Sequence, residues 1–442
     1  MKIPQKPPEL ASLVQKVGPE KLFEILEQIR ALPRTERYLH WDKLKSMTPP
    51  EGLSTEAWWV GLKLNRGYSL KEIPLRDMQG QPFQFMVTDY ISEKLHYTDM
   101  NAGGRIGIPE PVTNPETKDQ YYVSSLIEEA ITSSQLEGAA TTREVAQEML
   151  RSARPPRDRD ERMILNNFQT MKQIGTLKTQ SMTVELLLRL HKSVTEATLD
   201  VPTAAGRFRL PEEEIVVSDA EGGVLHTPPP AEALPARMQA MCAFANGETP
   251  SYFVHPVLRS LILHFWLAYD HPFVDGNGRT ARALFYWSML RHGFWLFEYL
   301  SISRILRKAP IKYARSFLYT ETDDNDLTYF LHSQIEVIQR ALADLHKYIE
   351  TQSERVRQME QNLRGTVLLN HRQRALVAHL LRHPKQRYSI AGHQTSHAVS
   401  YQTARTDLFD LVDRGVMEKR KAGKFWYFTA APDFEARLAV LE

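Results

Sequence analysis

Two apolar stretches with helical spacing, residues 255–270 and 279–292, are separated by only eight residues, HPFVDGNG. No other feature constrains the chain as tightly. Apolar residues recurring every three to four positions predict a helix on each side. Glycine and asparagine between them end one helix and let the next begin. The reading places His271 at the C-terminal end of the first helix, Phe273 buried beneath the loop, and the start of the second helix near Arg279.

The same period recurs over 18–32, 121–137, 142–151, 160–175, 183–198, 231–245 and 326–363, so the chain is predicted to be mainly α. Strand signals are few. Glu213–Pro230 carries two short β-prone runs around Asp219-Ala220-Glu221-Gly222-Gly223 and reads as a hairpin. Gln81–Ile91 is a weaker strand candidate. At 442 residues, with 42% hydrophobic and 24% charged residues, the chain supports two or three domains with cores of their own. The lone Cys242 excludes an internal disulfide framework and fits a reducing compartment. With no apolar signal core at the N-terminus and no run long enough to span a bilayer, the expectation is a soluble, cytoplasmic protein without a membrane partner.

A net charge of +2 gives no global argument for nucleic acid, but the charge is unevenly placed. His371–Ala430 holds 11 Lys and Arg against 4 Asp and Glu, a balance of +7 that leaves the rest of the chain at −5. Helices are expected over 371–382, near 389–397 and over Ser400–Gly415, followed by a two-strand wing turning at Ala422-Gly423. That order suggests a winged helix-turn-helix over 366–442, joined by a polar helical linker, 346–365. Arg405, Arg420, Lys421 and Lys424 are its candidate contacts to DNA or to a partner protein. Asp407, Asp410 and Asp413 dilute the recognition helix, unless two of them face inward.

The eight-residue loop has a definable chemistry. Glycine-flanked Asn277 lets backbone N–H groups converge, and the following helix N-terminus adds unsatisfied donors and partial positive charge. Together they make an anion cradle suited to phosphate. Arg279 and Arg282 share one helix face beside it, and two guanidinium forks suggest a polyphosphate. Asp275 is a hard oxygen ligand of the kind magnesium uses together with phosphates. His271 is placed to take a proton near neutral pH. The pattern lacks the lysine of a P-loop and the kinase signature set.

His271-Pro272-Phe273-Val274-Asp275-Gly276-Asn277-Gly278-Arg279-Thr280-Ala281-Arg282 resembles the Fic-family motif HxFx(D/E)GNGRxxR at every constrained position. The resemblance covers a helical core of roughly 121–345. It implies the mostly helical Fic fold, ATP as substrate with Mg²⁺, and transfer of AMP to a Tyr, Thr or Ser hydroxyl of a target protein or of the chain itself. In that scheme His271 is the base and Asp275 holds the metal. Gly276, Asn277 and Gly278 line the anion hole, with Asn277 at the α-phosphate, and Arg279 and Arg282 hold the outer phosphates.

Ser133-x-x-x-Glu137-Gly138 resembles the inhibitory motif (S/T)xxxE(G/N) of the same family, on a helix predicted over 121–137. The resemblance implies that Glu137 pairs with Arg282 and blocks productive ATP binding. The hairpin resembles the Fic flap, with Ile215, Val216, Val217, Val224 and Leu225 offering a strand edge to the target. Arg207 or Arg209 either braces the site or makes a surface salt bridge.

Plainer roles fit other residues. His255 and His264 are expected to pack, Asp270 to hydrogen-bond at a helix end, and the aromatics of 285–297 to fill the core. Tyr313 or Lys308 is a candidate adenine contact. Three other functions compete: a metal-dependent phosphohydrolase with His264, Asp270, His271 and Asp275 as ligands, a nucleotide-sensing DNA-binding regulator, and a hydrolase removing AMP with Glu137 positioning water. A homodimer is left open, and residues 1–120 read only as helical and mixed.

Overall fold

The computed structural model describes residues 1–32, 38–103, 115–152, 154–219, 221–365, 369–384, 386–397, 399–422 and 425–438. The chain forms two compact units, Met1–Gly104 with Ser125–Leu342, and Arg105–Ser124 with Ala343–Glu442. It is mainly α-helical, with small two- and three-stranded sheets.

Among the described residues the first unit begins with α1 (Leu10–Val17), α2 (Leu22–Ala31), α3 (Trp41–Leu44) and α4 (Thr55–Gly67). They share a cluster built on Ile25, Ile29, Trp41, Trp58 and Trp59. A hairpin of β1 (Lys71–Arg76) and β2 (Pro82–Phe85) precedes α5 (Asp89–Thr98). The strand candidate Gln81–Ile91 is therefore corrected: its second half turns into a helix, because Thr88 caps α5 by accepting the Ile91 N–H at 3.2 Å. Phe83 in β2 is fully buried against Phe265 and Tyr269.

The chain continues with α6 (Pro115–Leu136), α7 (Arg143–Ser152), α8 (Arg159–Leu177), α9 (Val184–Thr195), the hairpin β3 (Val217–Ser218) and β4 (Val224–His226), and α10 (Leu234–Ala245). The two helices that flank the glycine-broken loop are α11 (Pro256–Asp270) and α12 (Asn277–Arg291). They pack on each other, α8 and α9 cover α12, and α10 covers α11. Leu261, Phe265, Trp266, Leu284, Phe285 and Trp287 are all buried there. Each such side chain is worth about 1.5–3 kcal/mol of burial, which fixes the two helix ends that carry the loop. Two expectations change. The second helix starts at Asn277, not near Arg279. His255 does not pack in the helix; it caps α11 by accepting the Val257 N–H at 3.3 Å, ahead of Pro256 in the first turn.

Next come α13 (Ile302–Lys308), α14 (Pro310–Thr322) and α15 (Thr328–Gly365). In the second unit, α16 (His371–Arg382) starts with a capping box between Asn370 and Gln373. It is followed by β5 (Tyr388–Ser389), α17 (Ile390–His397), α18 (Tyr401–Asp413), β6 (Met417–Ala422), β7 (Phe425–Ala430) and α19 (Phe434–Leu438). The sheet order is β5-β7-β6, and its core joins Val377, Leu380, Leu408, Leu411 and Phe428. Among the described residues no helix is long and apolar enough to cross a membrane.

Candidate active site

His271 ends α11 in a left-handed conformation, φ 46°, with its N–H still bonded to Leu267 O at 3.0 Å. A non-glycine residue held there costs about 1–3 kcal/mol, so the surroundings must over-determine it. They do. Arg209 donates from Nε to His271 O at 3.0 Å, from its backbone N–H to Pro272 O at 2.9 Å, and from Nη2 to Pro229 O. Of the two arginines in that segment Arg209 is the brace, while Arg207 pairs with Glu213 at 2.7 Å. The His271 Nδ1 lies 3.2 Å from Ala268 O, an acceptor only, so Nδ1 carries the hydrogen and Nε2 keeps its lone pair. Burial pushes its pKa down to about 4, which leaves the ring neutral at pH 7.

The rest of the loop is held from below. Phe273 is fully buried and stacks on His191, with centroids 3.7 Å apart. His191 accepts the Gly206 N–H on Nδ1 at 3.0 Å, so its Nε2–H donates to Asp275 O at 2.9 Å. The Asn277 amide is closed on the loop backbone: Oδ1 accepts the Phe273 N–H at 3.0 Å and Nδ2 donates to Phe273 O at 2.7 Å. Its side chain is thus spent on the turn, and an α-phosphate contact from Asn277 has to come from its backbone N–H. Gly276 has φ 82°, and a Cβ there would stand 2.5 Å from Thr195 Cγ2, so glycine is required on both counts.

Asp275 is the half-exposed carboxylate of the loop, between Arg279 Nη2 at 3.5 Å and Arg159 Nη2 at 3.7 Å. Among the described residues no group of three or more His, Cys, Asp or Glu is placed to hold a metal. The four-ligand phosphohydrolase set is ruled out by its partners. Asp270 is fully buried and accepts from Arg237 and from Trp266 Nε1, and His264 Nε2 meets Tyr313 OH at 2.8 Å. A single accessible carboxylate beside a phosphate cradle does fit magnesium, which takes one or two carboxylates and completes its shell with water and phosphate.

Residues 181–289 match the family model described as the Fic/DOC family. The chain carries a domain of the Fic/DOC family. Curated relatives include a protein adenylyltransferase Fic of Nematostella vectensis, 35% identical over 117 residues, which are 26% of this chain and 25% of the relative. One of Drosophila ananassae is 35% identical over 133 residues, 30% of this chain and 24% of the relative. The chain thus spans about a quarter of the length of the curated relatives it matches. Among solved structures, Fic-1 from C. elegans superposes with a TM-score of 0.51 at 16% identity, covering 79% of this chain and 89% of that one. A Fic family protein from Desulfovibrio desulfuricans G20 gives 0.50 at 18% identity, covering 77% and 94%. These likenesses establish a shared fold.

Outside the matched residues, α6 ends at Leu136, and Gly138 follows with φ 94°. Arg282, nearly fully buried, donates from Nε to Ser133 Oγ at 2.8 Å, and from Nη2 to Ser133 O at 3.0 Å and Glu137 Oε1 at 2.7 Å. The Glu137 carboxylate also lies over the first turn of α12. A Cβ added to Gly278 would collide with its Oε1 and stand 2.8 Å from its Cδ. The cradle at the helix N-terminus therefore already faces an anion, in the place where N–H groups without intrahelical acceptors favour one. Arg279 points elsewhere: it is fully buried, Nη1 donates to Val194 O at 2.9 Å, and its Nε has no hydrogen-bond partner among the described residues. The two arginines share a helix face but do not form one clamp.

Other residues of the site were not legible in the sequence. Glu129, fully buried one turn before Ser133 on α6, accepts from Tyr286 OH at 3.0 Å, Ser301 Oγ at 2.8 Å and Ser303 N at 3.1 Å. Its spacing of four from Ser133 and eight from Glu137 was the available signal. His226 in β4 ties the hairpin down, with Nε2 2.7 Å from Tyr269 O and Nδ1 2.7 Å from Glu321. Burial opposes its charge, but the Glu321 carboxylate outweighs that and raises its pKa. The hairpin is shorter than expected. Ile215 and Val216 precede β3, while Val217, Val224 and Leu225 lie in the strands, and Val216 and Val224 are exposed. Tyr313 lines a shallow open cleft with Ile305, Leu306 and Lys312; the exposed Lys308 is not among its lining residues.

Proposed function

We propose that the Fic domain is a protein adenylyltransferase that moves AMP from ATP to a Tyr, Thr or Ser hydroxyl, and that Glu137 holds it in an inhibited state. The observation that carries this reading is the neutral His271, its Nε2 free, one loop away from a helix N-terminus that Glu137 and Arg282 occupy together. His271 Nε2 takes the proton of the acceptor hydroxyl. The oxygen attacks the α-phosphorus, the bond from that phosphorus to the bridging oxygen breaks, and pyrophosphate leaves. The N–H groups of Asn277 and Gly278 receive phosphate oxygens. Arg282 serves the outer phosphates once Glu137 withdraws. Magnesium held by Asp275 would neutralise phosphate charge. The exposed Val216 and Val224 flank the hairpin edge that a target segment would join as an extra strand.

ATP labelled at the α-phosphate, magnesium and a cell lysate test this with three proteins: the natural chain, Glu137→Gly, and Glu137→Gly with His271→Ala. Strong protein labelling is expected from Glu137→Gly alone, its own band included if it modifies itself. Labelling no greater than that of the natural chain would sink the inhibitory role, and label surviving His271→Ala would sink the base.

A second reading has support in one observation: the Glu137 carboxylate stands against Gly278 of the same loop that carries His271. In that arrangement the two could direct water at an AMP-modified protein. Hydrolysis by the natural chain that disappears in Glu137→Gly would favour it.

A further inference from the structure

The second unit sorts its charges by side. On α18 Asp407 points inward and the half-buried Asp410 is paired within the unit. Asp407 is buried and takes Arg372 Nε at 2.7 Å, Asn370 Nδ2 at 2.7 Å and His393 Nε2 at 3.2 Å. Asp410 takes Gln373 Nε2 at 2.7 Å and Arg414 Nε at 2.8 Å. The face away from Asp407 carries Gln402, Arg405 and Thr406, all exposed, spaced so that they share one side of the helix with Phe409. The acids that seemed to dilute this helix are therefore neutralised within the unit; only Asp413 stays exposed at its end.

The hairpin adds cations to the same face. Lys419 and Lys421 alternate along β6 and lie on one side of it, with Lys421 directly opposite Trp426 of β7. The Lys419 ammonium and the Arg405 guanidinium each lie 4.6 Å from the centre of the Phe409 ring, and Lys421 lies 5.8 Å from that of Trp426. None of these three has an ion-pair partner among the described residues. Aromatic rings steady cations without neutralising them, so the charge remains available to a partner. Arg420 turns to the other side of β6 and pairs with Glu418 at 3.4 Å, which removes it from this group; Lys424 lies outside the described residues.

We propose that this face binds duplex DNA, with Gln402, Arg405 and Thr406 of α18 turned to a groove and Lys419 and Lys421 on backbone phosphates. A polyanion is the partner that three unpaired cations on one face call for. A helix face of amide and hydroxyl donors between those cations, preceded by a second short helix, suits groove edges and sugar-phosphate rather than an apolar protein surface. A membrane is a poorer fit, because Tyr348 and Tyr401 are the large apolar side chains exposed among the described residues of this unit, too few to anchor in lipid. The inference is independent of the transfer chemistry.

Fluorescence anisotropy of the full-length chain with a random-sequence 25-base-pair duplex decides it. Binding is expected at ~50 mM salt, with log affinity falling against log salt at a slope near −3, about 0.9 for each phosphate neutralised. The combined Arg405→Ala, Lys419→Ala and Lys421→Ala variant should bind on the order of 100-fold more weakly and flatten that slope, with an unchanged thermal unfolding midpoint. Arg420→Ala should change little. No binding at ~50 mM salt, equal binding by the triple variant, or equal affinity for anionic lipid vesicles or an acidic polypeptide would overturn the proposal.

Discussion

The two units use positive charge differently. Around the α11–α12 loop the arginines are enclosed: Arg279 and Arg282 are almost inaccessible, and each already donates to a named oxygen. Arg405 of α18 and Lys419 and Lys421 of β6 are exposed, rest on aromatic rings and have no ion-pair partner among the described residues. Enclosed guanidinium groups act through direction, because two N–H bonds fix where an oxygen must sit. Exposed ammonium groups act through number, because salt and water blur each one. The first arrangement suits one ligand in one pose, and the second suits a long partner in many registers.

Four measurements sharpen or break that contrast, beginning with the largest effect. In the Glu137→Gly background, His271→Ala should lower protein labelling by about 10²–10⁴-fold, the usual worth of a positioned general base; a loss under tenfold would mean the loop needs no base. Arg282→Lys in the same background should reduce kcat/KM on the order of 100-fold, since a point charge cannot replace a fork. The matching exchange Lys419→Arg should leave duplex affinity within about twofold. Equal sensitivity at both places would erase the distinction. Raising salt from ~50 to ~200 mM should weaken duplex binding roughly 10- to 100-fold while the KM for ATP shifts by less than about threefold; parallel responses would argue that the loop is as open to solvent as the wing.

The smallest expected effect concerns pH. His271 is neutral above about 4, so the acid limb of labelling should fall near pH 4 rather than near 6.5. The same burial holds His40, His191 and His332 at about 4 and His264 at about 3. Between pH 6.5 and 4 the unfolded chain then binds protons that the folded chain refuses, so folding stability should decline as pH falls through that window. Urea unfolding followed at pH 7 and pH 5 checks this, with the lower midpoint expected at pH 5. An unchanged midpoint would mean that these rings are hydrated.

The readable part of the site was local. Residues 271–282 and 133–138 pack several uncommon requirements into short segments, so residue type and spacing suffice to suggest phosphate, base and inhibitor. The unreadable part was made by long-range pairing. His191 is 84 positions from the Asp275 carbonyl it holds, and Glu129 is 174 from Ser303. Neither carries a local mark beyond ordinary helical spacing. Asn277 shows a subtler limit: its identity was legible, but not that its amide would be consumed by Phe273. In the fold, long apolar helices such as α11 and α12 were plain, whereas β1, Lys71–Arg76, was hidden because a proline and mixed polarity blur its alternation.

Helix α6 ends one residue before Glu137, and Gly138 follows with a backbone that tolerates many conformations. Glu129 and Ser133, by contrast, lie within the helix and are buried against α12 and α13. A swing of the short turn beyond Leu136 would separate Glu137 from Arg282 while the helix keeps its seat. On the inhibitory reading proposed above, an activator would need to grip only a few residues at that turn, and on its release the undisturbed helix would return the carboxylate to the same place, which would make the device resettable rather than single-use.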